Sequence, residues 1–370
     1  MDQSRLHQVT DKKYSKTTFV IMAIFISIIV AQNVFYTLLL DDNLSRELSS
    51  FWGIMLFASL AAASYGLGWY ILSHFVRQTD TEAVDAKSRY FNSMYKAVRI
   101  IFYLTAVILA IIVFQMALIL QYNIILSLAA MASSTILAAT IMAVLSYRFL
   151  SWFRSKRDLS ILLYGLAFAI TAVGAGMMSL TNTVAFLIDG LPTREEPSGS
   201  VEDFTKAISK SSTRSELFQI ALMPYRLAFG LYWIGTVLLL RHYSKSFGRL
   251  KFWTVVSLPL VNFIIGNIFF SSSHFANSFA FDVIVSLTTP TAAILYAVTF
   301  FTMARSMKRT GHNTLAAHYL IISGYGIILL LATASSSPHF VDYEQTPYPP
   351  FATASWSFLG FAAYLFSIGY

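Results

Sequence analysis

Ten stretches of roughly twenty residues or more carry almost no charge: Thr17–Leu40, Phe51–Val76, Ile100–Leu120, Ile124–Tyr147, Leu159–Ile188, Leu217–Leu240, Phe252–Ser271, Ala280–Ala304, Thr314–Ser337 and Phe351–Tyr370. A helix needs about 20 apolar residues to cross the ~30 Å hydrocarbon core of a bilayer. The stretches are apolar on every side and do not alternate with period two, so they predict helices and not barrel strands. A helix also satisfies its own backbone hydrogen bonds, as a segment in lipid must. The expected fold is all-α, a polytopic transmembrane helix bundle of about ten spans that forms a single transmembrane domain over residues 1–370. Composition agrees: 56% of residues are hydrophobic and 12% charged, against about 25% charged in soluble domains. The first stretch is far longer than the ~7–15 apolar residues of a cleavable signal, which predicts a retained first helix.

Lys and Arg set the orientation of such a bundle. Arg5, Lys12, Lys13 and Lys16 precede the first span, and Arg77, Lys87, Arg89, Lys96 and Arg99 fill the second connection. Arg148, Arg154, Lys156 and Arg157 fill the fourth, Arg241, Lys245, Arg249 and Lys251 the sixth, and Arg305, Lys308 and Arg309 the eighth. The opposite side holds Arg46, Arg194, Lys206, Lys210 and Arg214. The expected topology is a multi-pass protein of the cell membrane with a cytoplasmic N-terminus. The same split accounts for the net charge of +8: the basic residues face an anionic inner leaflet. No basic domain exists to carry nucleic acid, so none is expected as a partner. Tyr370 ends the tenth span with no basic cluster after it, which predicts that the natural chain continues into the cytoplasm.

Several chemistries have no residues to perform them. Cys is absent, which removes disulfides, thiolate metal sites and a cysteine nucleophile. Paired His or carboxylate motifs, a Ser-based elbow and cofactor fingerprints do not occur, so neither an enzyme nor a cofactor is expected. The longest loop on the outer side runs over residues 189–215. It opens with Gly190, Pro192 and Pro197, all breakers. Ser200 then reads as a helix N-cap, with Val201, Phe204 and Ile208 at helical spacing after it. That pattern predicts a short amphipathic helix, serving as a linker or as a lid over an external opening. The last external loop carries His339, Asp342 and Glu344, and a shorter one carries His274. These are metal ligands in kind, although no paired-His spacing supports a metal site.

One resemblance attaches to the end of the chain. Gly324-Tyr325-Gly326 is followed by an apolar run, then by Pro347-Tyr348-Pro349-Pro350-Phe351, then by Ser357-Phe358 and Tyr364. Over roughly the last fifth of the chain, this pattern resembles a group of uncharacterised multi-pass membrane proteins of ammonia-oxidising archaea. The resemblance implies a lineage and no activity, so it assigns no functional residue.

Two charged side chains fall clearly inside the spans, Arg226 and Asp282. Each costs about 2.5–3.5 kcal/mol at a bilayer centre on insertion scales, which makes it a site hypothesis with a partner to be named. Asn262, Asn267 and Asn182 are available at compatible depth, and Pro224 lies two residues before Arg226. Two readings of this cluster stay open. It is a hydrogen-bonded Arg–Asp pair that fixes helix packing, or an outward-facing pocket for a small polar or anionic ligand of the kind transporters bind. Small residues form stripes on the fifth span (Gly165, Ala169, Ala172, Gly176, Ser179), the fourth (Ser127, Ala130, Ser134, Ala138) and the second (Ser59, Ala62, Ala63, Gly66). Such stripes let helices pack closely, within the chain or against an oligomer or membrane-complex partner. An internal echo also appears: Leu231-Tyr232 precedes Arg241, and Leu295-Tyr296 precedes Arg305, by the same ten residues. The expected function is a transporter-like or small-ligand-binding bundle in the lipid bilayer. A sensor or receptor module, or an accessory subunit of a membrane complex, is the alternative.

Overall fold

The computed structural model describes residues 3–38, 51–82, 87–119, 123–189, 220–241, parts of 252–264, 296–307, 314–334 and 350–368. Every regular element among these residues is helical. In chain order they are α1 (Gln3–Leu38), α2 (Phe51–Glu82), α3 (Lys87–Ile119), α4 (Ile124–Lys156) and α5 (Leu159–Asp189). Then follow α6 (Ile220–Arg241), α7 (residues 296–307), α8 (Thr314–Ala334), α9 (Phe351–Trp356) and α10 (Leu359–Ser367). Among the described residues, seven helices are long and apolar enough to cross a membrane. The chain is an integral membrane protein built as a helix bundle. The predicted spans 252–271 and 280–304 lie partly outside the described residues, as does the external loop beyond Asp189.

The helices outrun the apolar stretches. α3 and α4 each have 33 residues, which is about 50 Å at 1.5 Å per residue. The excess lies largely at the ends that carry Lys87, Arg89 and Arg99 on α3 and Arg148, Arg154 and Lys156 on α4. Lys and Arg are good helix formers, so the charge that stops insertion does not stop the helix. α4 and α5 make a tight hairpin. Arg157 takes a left-handed conformation (φ 49°) and returns its N–H to the Phe153 carbonyl at 2.8 Å, the usual geometry of a helix end. The Asp158 carboxylate then accepts the Ser160 N–H at 2.8 Å to start α5. At the other end of α4, the Asn123 side chain caps Ile125 N–H at 2.9 Å. The Gln115 side-chain Oε1 accepts the Asn123 N–H at 3.0 Å.

The tenth stretch is not one continuous helix, as the hydropathy suggests. It divides into α9 and α10 at Ser357–Phe358, where Phe358 has φ −91° and ψ 0°. Every residue from Phe351 to Ser367 is buried. α9 packs on α1 and α4, and α10 on α8, α4 and α3, so the broken helix is the central post of the bundle. Its sequence allows this: Phe351, Trp356, Phe358, Phe361 and Phe366 fill volume, while Ala352, Ala354, Gly360, Ala362 and Ala363 admit neighbouring helices closely. The outer helices face the other way with large apolar side chains, among them Trp52, Ile100, Phe114 and Leu180, all exposed. In water such a surface would drive aggregation; against lipid it is the solvated face.

Candidate functional site

The break in the central post is held by one hydroxyl. A straight helix would give the Gly360 N–H to Trp356 and the Ser357 carbonyl to Phe361. Here Ser134 of α4 takes both places: its Oγ accepts the Gly360 N–H at 2.9 Å and donates to the Ser357 carbonyl at 2.8 Å. A freed backbone group in a bilayer needs such a partner. Around this point lies a buried polar seam. The Tyr65 hydroxyl of α2 donates to Ser357 Oγ at 2.7 Å, which donates in turn to the Ala354 carbonyl at 2.6 Å. The hydroxyls of Ser127 and Thr353 are bonded to each other. Ser323 of α8 donates to the Phe366 carbonyl at 2.6 Å. Thus the small-residue stripe of the fourth span, Ser127, Ala130, Ser134 and Ala138, is buried, and its serines form the seam with the central post. Gln32 and Asn33 are interhelical too: Asn33 Nδ2 donates to the Ala332 carbonyl at 2.5 Å, and Gln32 Nε2 to Ser64 Oγ at 3.4 Å.

Beside the seam is a cavity of about 360 Å³. Trp356 and Leu359, the residues on either side of the break, form part of its wall together with Phe366. α6 contributes Leu222, Tyr225, Arg226, Phe229 and Tyr232, the face made by helical spacing i, i+3, i+4, i+7 and i+10. α5 adds Thr171, Ala175 and Met178, α8 adds Ile327, Leu330, Leu331 and Ala334, and α7 adds Tyr296. α4 adds Ala138 and Met142 from its middle, and the α5 residues also lie near that helix's middle, so the cavity reaches the central level of the bundle beside the break.

The described wall holds few polar side chains. The Tyr232 hydroxyl lies 3.4 Å from Thr171 Oγ1, whose own proton goes to the Ala167 carbonyl at 2.8 Å. Tyr296 is buried, and among the described residues its hydroxyl has no hydrogen-bond partner. Thr299, one turn further along α7, has a buried hydroxyl in the same condition. Aromatic rings supply most of the remaining surface. Phe229 stacks on Phe263 with centroids 4.3 Å apart and planes 6° from parallel. Tyr296 meets Phe229 edge-on at 5.8 Å.

Of the residues singled out from sequence, Arg226 is partly buried and lines the cavity. Asn182 belongs to α5, with its side chain outside the described residues. Asn262, Asn267 and Asp282 lie outside the described residues, as do His274, His339, Asp342 and Glu344. Among the described residues, no group of three His, Asp or Glu could hold a metal ion. Pro224 does not interrupt α6, which runs helical through it; the discontinuity lies in the central post instead. In the sequence Tyr232 and Tyr296 stand out only as parts of the echo, and Tyr225 and Trp356 do not stand out. A signal was available, since Tyr225 and Tyr232 lie seven residues apart, on one face of a helix that also carries Arg226. Compared with protein-family models, with curated proteins and with solved structures, the chain matches none of them.

Proposed function

We propose that this protein is a small-ligand-binding helix bundle of the transporter-like kind, and that the cavity between α4, α5, α6, α8 and the central post is its binding site. The cavity carries this reading. Close-packed interiors keep few voids larger than a water molecule, and a space of about 360 Å³ falls within the roughly 300–1,000 Å³ of small-molecule sites. The Lys and Arg pattern favours a cytoplasmic N-terminus, and on that topology the Arg226 end of the cavity lies on the outer side of its middle. Arg226 then supplies the positive charge near the ligand that the sequence predicts for a polar or anionic group.

Ala175 tests it. Its side chain is buried at the cavity wall, so Ala175→Phe fills space that a ligand would use. Native mass spectrometry of the purified protein should find a stoichiometric small molecule on the wild type and none on Ala175→Phe. Added ligand at about 100 times its Kd should stabilise the wild type alone, by roughly 2.7 kcal/mol. A wild type that never carries or responds to any ligand, and that behaves like Ala175→Phe, removes the reading.

A second reading, a subunit of a larger membrane assembly, is favoured by α2. Its stripe Ser59, Ala62, Ala63 and Gly66 is exposed, and a Cβ built at Gly66 meets no atom within 4 Å. Close helix association in lipid uses such faces. Ala62→Leu with Gly66→Leu should shift any dimer or complex toward monomer by about tenfold on a native gel in mild detergent. An unchanged distribution sets this reading aside.

A further inference from the structure

At the end of the bundle that carries the basic residues of α3 and α4, one arginine is held by rings. Arg99 of α3 is exposed. Its guanidinium carbon lies 5.4 Å from the ring centroid of Trp69 on α2 and 5.6 Å from that of Tyr103 on α3. The two rings also meet each other, with centroids 5.0 Å apart and planes 42° from parallel. We propose that this ring-held arginine, together with Lys96, forms a headgroup site for an anionic phospholipid, whose phosphate the two cations bind and whose acyl chain lies along α3. The site is separate from the cavity, whose described lining includes no residue of α2 or α3.

The geometry gives Arg99 an orientation without using up its charge. A free arginine side chain loses rotamer freedom when it binds an anion, and one already held loses less. Contact with rings holds the cation by the quadrupole of their faces, and a ring face does not neutralise it. The guanidinium keeps a fork of five N–H donors, with no acceptor of its own, and that fork matches phosphate oxygens in bidentate fashion. Lys96 is exposed too. It precedes Arg99 by three residues, so the two cations stand on one side of α3. A choline head would bring a third positive group to them, which favours a head of net negative charge.

The surroundings favour a lipid over a soluble anion. Trp and Tyr gather at the level where a bilayer meets water, so Trp69 and Tyr103 mark headgroup depth. From Tyr103 toward the middle of the bilayer, Val107, Ile111, Phe114 and Leu118 are exposed, and their spacing continues one stripe of α3. Tyr103 to Leu118 spans about 22 Å of helix, enough to follow a chain through one leaflet of a ~30 Å core. On the topology that Lys and Arg favour, this end meets the inner leaflet, where anionic lipids are concentrated and basic sites beside membrane helices take their heads.

The test is native mass spectrometry of the full chain in neutral detergent, titrated with dioleoylphosphatidylglycerol or dioleoylphosphatidylcholine. The first phosphatidylglycerol should bind about tenfold or more tightly than phosphatidylcholine, and Arg99→Gln should remove that preference. Trp69→Leu keeps both cations and removes the larger ring; it should weaken phosphatidylglycerol about 2- to 5-fold. Arg154→Gln, at an exposed arginine of the same end on α4, should leave the affinity within about twofold. Excess glycerol 3-phosphate, a head without chains, should not displace the lipid. Equal binding of the two lipids overturns the anionic head. Equal losses in Arg99→Gln and Arg154→Gln mean diffuse attraction and overturn the site. An unchanged affinity in Trp69→Leu overturns the role of the rings. Displacement by glycerol 3-phosphate overturns the lipid in favour of a soluble phosphate ester. None of these outcomes bears on ligand binding in the cavity.

Discussion

Gly326→Ala should destabilise the protein by about 3 kcal/mol or more, at or above the upper end of what overpacking usually costs. The reason is backbone contact. Gly326 of α8 faces α10 of the central post. A Cβ built there lies 2.6 Å from Phe366 Cα and 2.7 Å from the Leu365 carbonyl carbon, and closer still to the Phe366 nitrogen. Side chains can rotate away from an added methyl, but a backbone held in a buried helix cannot. Relief requires α8 and the post to separate, and the nearby bond from Ser323 Oγ to the Phe366 carbonyl at 2.6 Å would stretch with them. In lipid the helices gain little hydrophobic driving force from one another, so lost van der Waals contact is not recovered elsewhere. For a chain of 370 residues the shift in unfolding temperature should be about 4 °C. Gly66→Ala is the matched control: it makes the same change at a glycine whose Cβ would meet nothing within 4 Å. A wild-type melting temperature for Gly326→Ala in nanodiscs would show that α8 and the post are not in this contact.

That contact also shows what the sequence made legible. Hydropathy predicts the helices because membrane insertion depends on average apolarity over a span, and seven of the predicted spans appear as continuous helices among the described residues. The stripe Ser127, Ala130, Ser134 and Ala138 could be read as a packing seam because small residues at helical spacing have few other uses. Hydropathy does not tell a central helix from a peripheral one. The stretch Phe351–Tyr370 scores as a span like the others, yet its composition differs. From Phe351 to Ser367 there are only two leucines, no isoleucine or valine, and Thr353, Ser355, Ser357 and Ser367. A lipid-facing helix offers branched aliphatic side chains, as α3 does with Ile100, Leu104, Val107 and Ile111, all exposed. A helix enclosed on all sides needs rings to fill gaps, small residues to admit neighbours and hydroxyls to bond across. Arg226 was found from sequence because charge in a span is rare. The tyrosines around it were not, because a Tyr in a span is common and only the third dimension brings Tyr225, Tyr232 and Tyr296 from two helices to one cavity.

Ser134→Ala should be the other large loss, through a different mechanism. Removing Oγ leaves the Gly360 N–H and the Ser357 carbonyl without their partner at the centre of the bundle. Each buried unsatisfied group costs roughly 1–3 kcal/mol, so a rigid break would lose about 2–6 kcal/mol. Thr140→Ala, which removes a hydroxyl bonded only to its own helix at Ile136 and exposed, should change stability by well under 1 kcal/mol and serves as the reference. The post has one escape, which is to close the break so that Gly360 bonds back to Trp356. Closing it must rotate Trp356 relative to Leu359, and both residues are in the cavity wall. The two measurements therefore separate the responses. A drop in melting temperature with ligand affinity retained means that the break persists unsatisfied. A near-normal melting temperature with affinity lost means that the helix has resealed and the cavity has changed shape. If both stay at wild-type values, Ser134 does not hold the break, and the coupling between the polar seam and the cavity is absent. Gly360 limits how the closure proceeds, because a Cβ there would sit 2.9 Å from the Ser134 carbonyl oxygen and 2.8 Å from Leu137 Cδ2. Gly360→Ala should accordingly push α4 off the post without removing the hydroxyl. It should lose stability and affinity together, a combination that neither response of Ser134→Ala produces.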